Sequence, residues 1–112
     1  MKYSPIPALF LLLLAVPSMA QDGKAIFNKQ CKACHTIGEG KKVGPDLQGV
    51  TTRRDPEWIA KFILSSKDLI ASGDKDAVAL FEEYKKMPMP SHNLSQSDIS
   101  GLLTYIIDYK KG

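Results

Sequence analysis

Cysteine is nearly absent from this chain: there are two in 112 residues, Cys31 and Cys34. A disulfide between positions three apart closes too small a loop to constrain the unfolded chain, so the domain is not a disulfide scaffold. No apolar run approaches the roughly 20 residues that span a bilayer. The longest, residues 8–16 (ALFLLLLAV), falls well short. Charge of one sign is not in excess either. Fifteen basic residues face 12 acidic ones, a net of +3, which excludes a strong field for nucleic acid or an anionic membrane. The basic pairs Lys41-Lys42, Arg53-Arg54, Lys85-Lys86 and Lys110-Lys111 are scattered and read as solvated faces. Nothing alternates with a period of two for long enough to make a strand. There are no repeats, low-complexity segments or internal linkers, so one domain is expected.

The amino-terminal segment reads as separate from that domain. Lys2 supplies a basic start, residues 8–16 an apolar stretch, and Ser18-Met19-Ala20 a small-x-small site. Together these predict a secretory signal over residues 1–20, cut after Ala20, with an uncleaved anchor as the alternative. Gln21, rather than a cysteine, follows the site, which argues against a lipid anchor. The remaining domain, residues 21–112, is small enough to bury only about 60–65% of its unfolded surface. Its core is thin, and a buried prosthetic group is the natural staple.

Apolar spacing and end signals predict helices joined by long loops. Asp22 caps a first helix, residues 23 to about 34, with few apolar positions (Ala25, Ile26, Phe27). Residues 38–49 (GEGKKVGPDLQG) carry four glycines and a proline and read as irregular chain. Asp55-Pro56 starts a helix running to about residue 65 on Trp58, Ile59, Phe62 and Ile63. Ser72-Gly73 breaks the chain, and Asp74 caps a further helix to about Lys85. The two prolines of Met87-Pro88-Met89-Pro90 forbid helix there. Ser95 and Asp98 resemble a capping box before a last helix with the stripe Ile99, Leu102, Leu103, Ile106, Ile107, ending near Tyr109. The class is all-α.

Cys31-Lys32-Ala33-Cys34-His35 carries the chemistry. This is the c-type haem attachment pattern. Two thiols at i and i+3 each add to one haem vinyl group, and the adjacent imidazole reaches the iron from the same side. Two other readings are open. A bare CxxC serves thiol–disulfide exchange, normally after a strand, and none is readable here. A half zinc site needs a second Cys/His pair, which His92 alone does not supply.

With CKACH after a short helix, the loop Gly44-Pro45-Asp46-Leu47-x-Gly49, and a Met-Pro before a Leu/Ile-rich last helix, the chain resembles the class I, mono-haem c-type cytochromes over residues 22–110. The resemblance implies a small helical wrap around one covalently bound haem c, held through Cys31 and Cys34. Its first and last helices cross, with Gly23 and Phe27 on one and Tyr105 on the other. It also implies His35 as an iron ligand, with the Pro45 carbonyl accepting from the other ring nitrogen. The sixth ligand is a methionine before the last helix. Met89 fits the spacing to the last-helix cap better than Met87, and His92 is a third candidate. Trp58 is read as core packing rather than a propionate partner, while Arg53 and Arg54 are either propionate partners or solvated charge.

The expected function is that of a soluble, monomeric one-electron carrier in the periplasm, docking transiently with redox partner proteins and transforming no substrate, hence not an enzyme. It is expected to bind no nucleic acid and to have no stable membrane insertion after signal cleavage. The alternatives are an electron-delivering subunit of a larger oxidoreductase, and a haem sensor or enzyme if the sixth position is open.

Overall fold

The computed structural model describes residues 22–111. The predicted signal and its cleavage site lie outside the described residues. Helix α1 (Gly23–Ile26) continues directly into a π-helical turn, Phe27–Cys31, and is followed by α2 (Val50–Arg53), α3 (Pro56–Ala71), α4 (Lys75–Glu83) and α5 (Gln96–Asp108). Among the described residues there is no strand. None of their helices is long and apolar enough to cross a membrane.

Local chemistry accounts for most of the boundaries. The Asp22 carboxylate accepts from the Lys24 N–H (3.2 Å), and that of Asp55 from Glu57 (3.1 Å) ahead of Pro56 at the first turn. Ser95 and Asp98 form the full reciprocal capping box, with bonds of 3.0 and 3.2 Å. Each of these caps satisfies amide donors that have no partner inside the helix.

The helix ends differ from expectation at four places. The first helix stops at Cys31 rather than near residue 34, because its ladder widens: the Lys32 N–H bonds the Phe27 carbonyl, five residues back. The helix begun at Pro56 resumes after residue 65 and reaches Ala71. Ser65 itself is extended (φ −163°, ψ 86°), and its hydroxyl accepts from the Asp68 N–H (3.3 Å), capping the second segment. Helix α4 ends at Glu83, and Asp74 caps it without a side-chain bond, since its carboxylate is taken by the Trp58 indole. The short α2 has no apolar stripe of its own and no sequence signal.

The core is built where α1 meets α5. Ile26, Phe27, Leu102, Leu103 and Ile106 are buried together with Ile59 and Ile63 of α3. Gly23 is the point of closest approach: a Cβ there would overlap the Gly101 carbonyl oxygen and press on Tyr105 Cβ. Beside it the Phe27 and Tyr105 rings lie 5.8 Å apart, in tilted contact. Glycine at position 23 lets the backbones touch, and the aromatic pair fills the angle left by the crossing.

Gly23→Ala is expected to lose about 1–3 kcal/mol of unfolding free energy through overpacking at this crossing, measured by guanidinium denaturation of the haem-loaded protein. An unchanged midpoint would show that the crossing yields easily.

Candidate functional site

Cys31, Cys34 and His35 leave the π turn in a tight turn of their own: the Cys31 carbonyl accepts from the N–H groups of Cys34 (3.1 Å) and His35 (2.9 Å). All three side chains line a cavity of about 480 Å³ with mostly apolar walls, which Leu102, Leu103 and Ile106 of α5 and Trp58, Ile59 and Ile63 of α3 help to form. Met87, Met89 and His92 line it too.

The glycine-rich loop holds the imidazole. Gly44 N–H donates to the Cys34 carbonyl (2.7 Å), and Leu47 N–H to that of Thr36 (2.9 Å), folding the loop back on the turn. A Cβ on Gly44 would come within 2.5 Å of the His35 ring, so only glycine lets the strap lie flat against it. The next carbonyl, that of Pro45, accepts from His35 Nδ1 at 2.8 Å. With that proton committed, Nε2 carries the lone pair that a metal ion needs. Burial pulls the His35 pKa below the usual imidazole range, against the opposing pull of the Pro45 carbonyl, so the ring stays neutral.

Asp46 organises this strap. Its carboxylate accepts from the N–H groups of Gly38 (2.7 Å), Gly40 (2.9 Å) and Gln48 (2.9 Å). The bond from Gly38 leads the causes that lower its pKa. Gly38, at φ +89°, turns its amide inward in a conformation glycine adopts freely. Arg53 completes the loop by donating to the carbonyls of Gln48 (2.5 Å) and Asp46 (3.1 Å). In the sequence Asp46 stands out only as part of the Gly44-Pro45-Asp46-Leu47 motif. The signal available was a short carboxylate among glycines.

The two methionines differ sharply. Met89 packs against the core, while Met87 is 58% exposed. The hydroxyl of Ser66, just past the bend in α3, donates to the Met89 carbonyl (2.7 Å), and the His92 N–H donates to the Ile63 carbonyl (3.0 Å). The segment from Met89 to His92 is therefore tied to α3 at both ends. The preceding chain leaves α4 through Lys85 and Lys86, both at φ +58°, a left-handed pair without glycine. The His92 ring bonds the Gln30 side-chain oxygen (Nδ1···Oε1, 3.0 Å). No sequence signal pointed to Ser66 or Gln30.

Trp58 stacks on Phe62 (5.1 Å) and donates its indole N–H to Asp74 (2.9 Å), in line with a packing role. The Arg54 guanidinium lies over the indole face (5.0 Å) and pairs with Asp76 (3.1 Å). Arg53 and Arg54 are thus engaged with the chain itself rather than freely solvated.

The residues fit a covalently held haem. Burial and the neighbouring Cys34 push the Cys31 thiol up to about 11, the opposite of what a thiol-exchange nucleophile requires. Two thiols and a neutral, oriented imidazole stand on one wall of a large apolar cavity, and thioethers stand among the other lining groups. Helices wrapped around such a site define the covalent-haem class of small all-α proteins.

The chain belongs to the cytochrome c family, whose family model matches residues 20–109. Covalently bound haem c is accordingly its cofactor, and electron transport its business. It is 36% identical over 100 residues to cytochrome c-550 of Nitrobacter winogradskyi, covering 80% of this chain and 89% of that protein. Cytochrome c-550 of Bradyrhizobium diazoefficiens is 34% identical over 106 residues, with coverage of 82% and 74%. Among solved structures, a cytochrome c from Rhodothermus marinus superposes with a TM-score of 0.68 at 32% identity, over 78% of this chain and 72% of that one.

Asp46→Asn is expected to cost about 1–2 kcal/mol at neutral pH, because a charged acceptor of several amides becomes a neutral one. The carboxylate's pKa is lower folded than unfolded, so its contribution is present above the ordinary aspartate range. It fades as pH falls below about 4 and is gone below the folded value. Denaturation midpoints of wild type and variant, taken from pH 7 down to pH 2, should converge; a constant gap would refute the role.

Proposed function

We propose that this chain is an exported one-electron carrier in which Cys31 and Cys34 hold the haem through thioether bonds and His35 and Met89 are its two axial ligands. The observation that carries the reading is the His35 Nδ1 to Pro45 carbonyl bond, which reserves Nε2 for a metal ion inside a cavity walled by both thiols. Met89 is preferred over Met87 because its backbone is bonded to Ser66 and it packs against the core. It is preferred over His92 because the resemblance to the class I c-type cytochromes implies a methionine at this position.

When bound, haem supplies an iron that alternates between the ferric and ferrous states. The protein's part is to keep the surroundings unchanged between them. Pro45 fixes the imidazole plane and raises its basicity. The apolar walls exclude water and with it competing ligands. With His35 and Met89 holding it, the thioether would favour the reduced state relative to a second imidazole. His35 and Met89 together would leave no position for a small molecule, so the chain would carry electrons without transforming a substrate. Residues 1–20 serve as the export signal, and the domain works in the periplasm as a monomer, meeting its redox partners briefly.

Met89→Ala is expected to abolish the sulfur-to-iron charge-transfer band of the oxidised protein and to lower its reduction potential, whereas Met87→Ala leaves both nearly unchanged. The reverse pattern would transfer the ligand role to Met87. Carbon monoxide binding by the reduced wild-type protein at neutral pH would instead indicate an open iron. Replacing both Cys31 and Cys34 by Ala is expected to leave a chain with no cooperative unfolding transition by circular dichroism, since the thin core loses its covalent staple. A sharp transition in that double variant would contradict it.

A further inference from the structure

Ser66 is 1% exposed, the most deeply buried polar residue among the described residues. A serine inside a helix commonly bonds the carbonyl four residues back in its own helix. Ser66 instead reaches Met89, 23 positions away in sequence, and donates to its carbonyl at 2.7 Å. A buried hydroxyl is costly unless paired, so this bond is fixed rather than incidental. It exists because α3 breaks just before it. The extended Ser65 re-aims the next turn, and its own hydroxyl caps that turn through Asp68. On the near side of the break the Ile63 carbonyl accepts the His92 N–H (3.0 Å). One break in one helix thus supplies a donor and an acceptor, each to one end of the Met89–His92 segment.

We infer that Ser66 is a positioning residue for the sixth ligand: with the Ile63 carbonyl it clamps the segment so that the Met89 thioether, rather than the exposed Met87, stays on the iron and resists displacement. The inference rests on the assignment of Met89 as ligand. The clamp acts through the backbone, which leaves the thioether free to take its place in the cavity. Among the described residues Met87 has a backbone bond to Tyr84, just past α4, and none to α3.

The test is imidazole binding to the oxidised, haem-loaded protein, followed in the visible spectrum. Imidazole reaches the iron only when the thioether has left, so its apparent affinity reports the detached fraction. Ser66→Ala is expected to raise that affinity roughly fivefold, the equilibrium worth of one hydrogen bond. Ser66→Cys, of similar volume but a weaker donor, should fall between, and it replaces the alanine variant should that one fail to accumulate. Ile99→Val, a core change in α5 away from the cavity, lowers overall stability and is expected to leave imidazole affinity unchanged. Wild-type affinity in both Ser66 variants would overturn the clamp, as would an equal rise in Ile99→Val. If wild type lacks the sulfur-to-iron band, the Met89 assignment fails first and the clamp falls with it. If the band is present and Ser66 has no effect, the clamp alone is wrong.

Discussion

At Gly23 and Gly101 the backbones of the first and last helices touch, with no side chain between them. Everything else in the domain is arranged around that contact. It joins the two ends of the described chain, and it brings Ile26 and Phe27 against Leu102, Leu103 and Ile106. It also fixes the direction from which the cysteine–histidine turn enters the cavity. Covalent attachment at that turn would tie the cofactor to the same crossing. In a domain this small, two helices at van der Waals distance save the volume that the prosthetic group requires.

Functional side chains sit where regular helix geometry fails. The π turn Phe27–Cys31 delivers Cys31 and Cys34, the break at Ser65 exposes groups that hold Met89 and His92, and the left-handed pair Lys85 and Lys86 launches the methionine loop. At the break in α3 the Ile63 carbonyl accepts from His92 and the Ser66 hydroxyl donates to Met89, and these two bonds hold the methionine loop in place. The glycine-rich strap works in the same way, with amides of Gly38, Gly40 and Gln48 gathered on Asp46.

The electrostatics of the cavity suit attachment and ligation rather than thiol exchange. Burial keeps Cys31 protonated and His35 neutral. A neutral imidazole with its Nδ1 proton on Pro45 is ready to bind a metal, while a protonated, buried thiol is a poor exchange nucleophile. Mostly apolar walls around the cofactor also suit electron carriage, because few polar groups are there to reorient between oxidation states.

The resemblance implied the Pro45 carbonyl behind His35, while the sequence alone determined the all-α class, the haem attachment motif with His35, and the capped starts at Asp22, Asp55 and Ser95. These features are local: a motif within five residues, a cap within three, an apolar stripe within one helix. Tertiary structure decided what depends on distant segments meeting. Met87 and Met89 are chemically alike and two positions apart, and the fold separates them: Ser66, 23 residues earlier, bonds Met89, which packs against the core, while Met87 is exposed. Trp58 was legible as a packing residue, but its commitment to Asp74 required two helices to be placed side by side. The close approach at Gly101 was hidden in a helix whose stripe reads the same with or without it. A hydrogen bond between residues far apart in sequence leaves no period and no spacing to read, so these features are visible only in the folded chain.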